Sequence, residues 1–113
     1  MLRSKDRLRF REVASVFEKG SRRTAPLFSL SFLAPADRTA FAVTVSKKIA
    51  KNAVDRNKIR RRVYSVVSKI KNTNKPAHIV YLPKKEIITT SFDVLEREIP
   101  QALIKAGLVE KKA

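Results

Sequence analysis

The chain has 113 residues and no cysteine, and its 26 lysines and arginines against 10 acidic residues give a formal net charge of +16. This length suits one compact domain, residues 1–113, while the missing cysteines exclude disulfides and the 43% hydrophobic fraction excludes a wholly disordered basic tail. A charge of this size indicates a nucleic-acid partner rather than a need for solubility alone, for which a magnitude of roughly 2–8 is usual.

The first predicted element is a helix from about residue 7 to residue 19, ended by Gly20. Its apolar side chains recur at spacings of three and four, which predicts one buried face: Phe10, Val13, Ala14 and Phe17. Residues 21–26 either add a short strand or stay irregular.

Two strands follow. Over residues 27–33, Ser29 and Ser31 share one face and apolar side chains share the other, and residues 39–46 alternate in the same way. A turn over residues 34–38 separates them, so we expect a hairpin.

A long helix is predicted over residues 52–71, because its apolar side chains form one stripe: Ile59, Val63, Val66, Val67 and Ile70. Residues 77–82 are nearly all apolar, which favours a central strand. A last helix begins at Thr90 or Ser91, kinks or restarts near Pro100 and ends at Gly107. The order is α-β-β-α-β-α, an α+β domain with helices covering one side of the sheet.

The densest chemical signal lies at the start of the long helix, where residues 56–62 carry five basic side chains. They spread around the circumference that the apolar stripe leaves free, so one turn can contact several phosphates. Three lysines precede this turn in the connection from strand to helix. The predicted RNA-binding residues are Lys47, Lys48, Lys51, Arg56, Asn57, Lys58, Arg60, Arg61 and Arg62.

The parts of a protein nuclease are missing from the pattern. The one histidine, His78, falls in a predicted buried strand, where a hydrogen-bonded core role is favoured over catalysis. Asp93 and Glu96 share a face of the last helix, but acidic residues in a first turn are explained by the helix dipole. We therefore expect no catalytic residue and no metal ligand in this chain, and expect a partner to do the chemistry.

The order of these motifs resembles the bacterial ribonuclease P protein family. Ser46-Lys47-Lys48 followed by the run from Asn52 to Arg61 is similar to the signature helix of that family, and the first helix resembles its opening helix. The resemblance implies a single-domain α/β sandwich like the second domain of ribosomal protein S5. It also implies a left-handed crossover through the signature helix, although such crossovers are almost always right-handed.

The resemblance further implies two sites. The signature helix would meet a catalytic RNA, and a cleft between the first helix and the open sheet face would hold the 5′ leader of precursor tRNA. The cleft residues would be Val13, Phe17, Ser29 and Ser31. Lys58 and Tyr64 stand where the family usually has arginine, Arg62 occupies a position that is more often apolar, and Ser31 stands where an aromatic residue is common.

The implied function is that of an accessory subunit of an endoribonuclease that matures tRNA 5′ ends. The RNA would perform the hydrolysis with Mg²⁺, and the protein would need no obligate protein partner. No apolar stretch is long enough to span a bilayer and no secretory signal is evident, so we expect a cytoplasmic protein. The alternatives are a ribosomal protein or ribosome assembly factor that binds rRNA without catalysis, and a DNA-binding protein that reads the major groove with the long helix.

Overall fold

A four-stranded sheet with helices on both faces organises residues 6–70, 73 and 75–109, the part of the chain that the computed structural model describes. The elements in chain order are α1 Phe10–Lys19, β1 Ser21–Thr24, β2 Phe28–Leu33, β3 Ala40–Val43, α2 Ala53–Val67, β4 His78–Pro83, a 3₁₀ helix Lys85–Thr89, and α3 Phe92–Lys105. The predicted α+β order is confirmed, and residues 21–24 supply the extra short strand.

The strand order is β1-β2-β4-β3, which makes the predicted hairpin between residues 27–33 and 39–46 wrong. β2 pairs antiparallel with β1 and with β4, and β4 pairs parallel with β3. The connection from β2 to β3 passes over the start of β4, where the Ala36 amide donates to the Pro76 carbonyl at 2.7 Å. α2 then joins the parallel neighbours β3 and β4 as a crossover, whose hand remains a prediction.

Helices cover both faces of the sheet, whereas the sequence predicted helices on one face only. α2 and α3 enclose the main core, in which Ile59, Val63, Val66 and Val67 are buried as predicted. α1 lies on the opposite face, where Val16 packs against Ala42 and Val80. These small and β-branched side chains give that face enough apolar surface to seat a helix, which the serines of β2 alone did not suggest.

The predicted buried face of α1 is wrong for three of its four residues, and only Val13 among them packs against the cluster beneath the helix. Phe10 is 87% exposed, Phe17 is 49% exposed and Ala14 is exposed, whereas the buried residue is Val16. Gly20, at the end of α1, approaches the sheet so closely that a Cβ atom would lie 2.4 Å from the Phe32 carbonyl oxygen. α1 is therefore turned by its contact with β2 and β4, and an apolar stripe is left facing solvent.

α3 runs unbroken through Pro100, so of the two predicted alternatives, a kink or a restart, the restart is wrong. Ile99 and Leu103 are fully buried on either side of the proline, and this packing holds the helix together. Gly107 ends the helix as predicted, with a φ of 78°. Its amide donates to the Ile104 carbonyl, and the Leu108 amide donates to the Leu103 carbonyl. None of the described helices is long and apolar enough to cross a membrane.

Candidate RNA-binding surface

A groove of about 450 Å³ runs between α2 and the segment that precedes α1. Its lining is cationic, amide and apolar side chains: Arg7, Val54, Asn57, Arg60, Arg61 and Tyr64. Five of the six lie on α2, and three of these were predicted to bind RNA: Asn57, Arg60 and Arg61. We call this the α2 groove.

Arg7 reaches the groove because residues 7 and 8 run alongside the edge strand β3. Arg7 forms a parallel bridge with Phe41, and the Leu8 amide donates to the Phe41 carbonyl at 2.8 Å. The Arg7 guanidinium then lies 5.6 Å from the centre of the Tyr64 ring, a cation–π distance. Sequence reasoning missed Arg7, because no local pattern indicates that the N-terminal segment pairs with β3.

Tyr64 forms the inner wall of the α2 groove. Its hydroxyl accepts a hydrogen bond from the Val43 amide at 3.2 Å, and its side chain is half-buried. The hydroxyl fixes the ring against β3, while the exposed part of the ring faces Arg7. Tyr64 therefore builds a flat wall in the groove.

The polar side of the groove is formed by α2 itself. Arg60 donates to the side-chain amide oxygen Oδ1 of Asn57 at 2.7 Å, which leaves the Asn57 NH₂ group as a donor. Arg61 is exposed, and neither it nor the Arg7 guanidinium has a hydrogen-bond or ion-pair partner within the described residues. Uncompensated guanidinium groups in one concavity favour an anionic ligand.

Two predicted RNA-binding arginines hold the fold. Arg56 donates to the carbonyls of Ala50 and Lys51 at 3.0 and 2.8 Å, and so pins the loop before α2. Half-buried Arg62 donates to the Thr90 carbonyl at 2.6 Å, which ties α2 to the segment before α3. The geometry gives both arginines a structural use that a count of basic residues could not reveal.

The remaining predicted cations are exposed. Lys47, Lys48 and Lys51 project from the loop that Arg56 pins, and Lys58 lies on α2 without lining the groove. They are available to phosphates as mobile charges, whereas the groove arginines are partly positioned.

The predicted leader cleft lies on the α1 face of the sheet. Ser31 pairs with Val80, which packs under α1, so both serines of β2 face that helix. Ser29 and Ser31 are only 6% and 5% exposed, Val13 is half-buried, and Phe17 is the open member of the set. The structure thus brings Val13 and the two serines to one face and leaves Phe17 exposed on the covering helix, with little serine surface there for a ligand.

β1 adds side chains to this face that sequence reasoning missed. Arg22 is paired with Ser31 and Thr24 with Ser29, and both are exposed. Because directly paired residues share a sheet face, Arg22 and Thr24 extend the face toward solvent. The short, polar β1 gave no strong strand signal from which this position could be derived.

A network of charged groups ties α1 to the connection before β3. Arg38 contacts both carboxylate oxygens of Glu12, at 2.6 and 2.9 Å, and His78 lies 2.8 Å from an Asp37 oxygen. The hydrogen bond from Arg38 lowers the pKa of Glu12 to about 2, and that from His78 lowers the pKa of Asp37. His78 is buried and hydrogen-bonded, as predicted.

Glu12, Asp37 and His78 place one possible metal-ligand atom each within 4.8 Å of one another. The Glu12 carboxylate is already neutralised by the two-pronged contact with Arg38, and a cation there would have to compete with that guanidinium. The arrangement is best explained as an ion-pair network that fixes α1.

The fold and its cationic helix define a small α+β protein of the RNA-binding class. A family model described as ribonuclease P matches residues 2–107. The ribonuclease P protein component of Syntrophomonas wolfei is 34% identical over 116 aligned positions, which cover 100% of this chain and 97% of the relative. The ribonuclease P protein component of Synechocystis is 26% identical, over an alignment that covers 89% of this chain and 84% of the relative. The chain therefore belongs to the ribonuclease P protein family.

Solved structures agree with this fold. The RNase P protein of Staphylococcus aureus superposes with a TM-score of 0.79 at 19% identity, covering 93% of this chain and 98% of the other. The RNase P protein of Thermotoga maritima gives a TM-score of 0.75 at 22% identity, covering 88% and 96%. At these identities the likeness establishes the architecture, including the sheet with helices on both faces.

Proposed function

We propose that this protein component of ribonuclease P binds the catalytic RNA through the α2 groove and its flanking lysines, and binds the 5′ leader of precursor tRNA on the α1 face. The RNA would hydrolyse the phosphodiester bond with Mg²⁺. The protein would position the substrate and offset repulsion between phosphates.

The observation that carries the proposal is the set of guanidinium groups in the α2 groove. The guanidinium groups of Arg7 and Arg61 have no hydrogen-bond or ion-pair partner within the described residues, and the exposed lysines of the preceding loop continue this surface. Such an arrangement is electrostatically incomplete without a polyanion.

Support for a second surface comes from the exposed stripe of α1. Phe10, Ala14 and Phe17 do not contribute to the core, and Phe17 lies on the helix that covers the face carrying Ser29 and Ser31. An exposed aromatic side chain on α1, together with exposed Arg22 on β1, suits an unpaired RNA strand, which offers bases for stacking and phosphates for pairing.

Reconstitution tests the proposal. The full chain is added to a bacterial ribonuclease P RNA at low Mg²⁺, and precursor tRNA cleavage is measured with and without protein. We expect clear stimulation by the wild-type chain and weaker stimulation by Arg61→Ala at limiting protein. No stimulation with a cognate RNA would reject the proposal and favour rRNA binding without catalysis.

A further inference from the structure

The α2 groove combines two chemistries that a plain phosphate-binding surface does not need together. Its guanidinium groups suit an anion, whereas the Tyr64 ring and the side chain of Val54 are apolar. Val54 is 74% exposed at the start of a strongly cationic helix and does not belong to the core. A phosphate group alone would make no use of this apolar surface.

We propose that the α2 groove is a subsite for one unpaired nucleotide, with the base held between the Arg7–Tyr64 wall and Val54, and the phosphate on Arg60 and Arg61. This inference rests on the proposed role of α2 in RNA binding and adds the chemical form of the RNA that enters the groove.

The shape of the groove fits this ligand. Its volume of about 450 Å³ falls within the roughly 300–1,000 Å³ usual for small-molecule sites. A base-paired A-form segment keeps its base faces stacked inside the helix and presents phosphates and sugars. An unpaired nucleotide presents a flat apolar ring together with an anion, and therefore satisfies both parts of the lining.

The wall of the subsite is assembled before the ligand arrives. The Val43 amide holds the Tyr64 hydroxyl, and the pairing of residues 7 and 8 with Phe41 holds the backbone of Arg7. A guanidinium plane and an aromatic ring are both surfaces on which bases stack. The Asn57 NH₂ group adds a donor for an acceptor atom on the base edge or the sugar.

The test compares ligands that share a phosphate but differ in the base. The full chain, labelled with ¹⁵N, is titrated by NMR with uridine 5′-monophosphate, guanosine 5′-monophosphate, ribose 5-phosphate and inorganic phosphate. We expect the nucleotides to bind roughly tenfold more tightly than ribose 5-phosphate, the effect of one stacked base. The largest chemical-shift changes should fall on the groove residues Arg7, Val54, Asn57 and Tyr64.

Three variants locate the effect. Arg7→Lys keeps the charge but removes the flat surface, so the preference for nucleotides over ribose 5-phosphate should fall while phosphate binding remains. Tyr64→Leu should also reduce that preference. Lys105→Ala removes an exposed cation beside β1, at the sheet edge opposite β3, and should change neither quantity. Thermal unfolding shows whether each variant is folded. If Tyr64→Leu does not fold, the result for Arg7→Lys decides the test.

Equal affinity for nucleotides and ribose 5-phosphate would overturn the inference and leave a phosphate-only surface, as would shifts confined to other parts of the chain. These outcomes are separate from reconstitution. A nucleotide preference without stimulation of the catalytic RNA would reject the proposed function alone, whereas stimulation without a nucleotide preference would reject the subsite alone.

Discussion

Arg61 and Arg62 are neighbours in the chain, but their surroundings differ. Arg61 is exposed in the α2 groove, whereas Arg62 is half-buried and donates to the Thr90 carbonyl. Helical spacing could separate these residues from the apolar stripe, but it could not show which cation meets a backbone carbonyl from a segment about thirty positions away.

Arg62→Ala should therefore lower the free energy of unfolding by about 1–2 kcal/mol, because a hydrogen bond from a charged donor to a partly buried carbonyl is lost. Arg61→Ala should change stability by less than about 0.5 kcal/mol, as exposed substitutions usually do, but should weaken RNA binding roughly tenfold. Urea unfolding and filter binding measure the two quantities. If Arg61→Ala were the more destabilising variant and Arg62→Ala the one that weakened RNA binding more, the structural and RNA-binding roles would be misassigned.

Tyr81 is the second informative residue. It is fully buried, packs 5.5 Å from the Phe28 ring centre, and its hydroxyl has no hydrogen-bond partner within the described residues. Burial raises the pKa of this hydroxyl. A buried polar group without a partner costs free energy that a phenyl ring would not.

Tyr81→Phe should consequently raise the free energy of unfolding by about 1 kcal/mol. Tyr64→Phe is the matched control, because it removes a hydroxyl that accepts from the Val43 amide and should be destabilising. Urea unfolding of the two variants shows whether each substitution raises or lowers the free energy of unfolding. Destabilisation by Tyr81→Phe would mean that the hydroxyl makes an interaction not seen in this structure.

Among the elements, α1 shows how a helix can be predicted while its orientation is not. The apolar spacing of Phe10, Ala14 and Phe17 located the helix, but the sheet face that receives α1 is small and accepts Val16 instead. The hairpin prediction failed for a related reason. A local turn signal cannot reveal that β4, more than thirty residues later, enters between β2 and β3.

The charged network that fixes α1 makes stability depend on acid pH. The pKa of Glu12 is about 2 in the folded protein against an ordinary 4.5, so the folded state stabilises its ionised form. This contribution is complete above pH 4.5 and is lost as the pH falls toward about 2. Solvent screens the partly exposed contact, so we expect it to be worth about 1 kcal/mol.

Glu12→Gln should thus be less stable than wild type at pH 7, and the difference should shrink between pH 4.5 and about 2. Glu18→Gln, the same change at an exposed position of α1, should leave the pH dependence as it is. Thermal unfolding across this pH range measures both. A difference between wild type and Glu12→Gln that stays constant would contradict the network.

For the whole molecule, hydrophobic periodicity predicted the α+β class, and the order of motifs indicated the protein family. The core stripe of α2 and the two buried strands follow from periodicity, which is local. The composition of the α2 groove does not, because Arg7 joins it through strand pairing and Tyr64 through a bond to β3. Local patterns identified the surface, and tertiary contacts determined its members.

The same charge predicts how the free protein responds to salt. Like charges repel in the absence of RNA, so added NaCl should screen the repulsion and stabilise the folded state. If screening recovers about 1 kcal/mol, Tm should rise by roughly 4–8 °C between low and physiological salt. RNA affinity should fall over the same range. A Tm that falls with NaCl would contradict this account.

The most direct test of the two-surface account compares precursor tRNA with and without a 5′ leader, bound to the reconstituted enzyme. Phe17→Ala should reduce the advantage of the leader-bearing substrate by roughly fivefold or more, the value of one stacked base, and leave assembly with the catalytic RNA unchanged. Arg61→Ala should weaken assembly and leave that advantage intact once the complex is saturated. Equal effects of both changes on the same quantity would contradict the account.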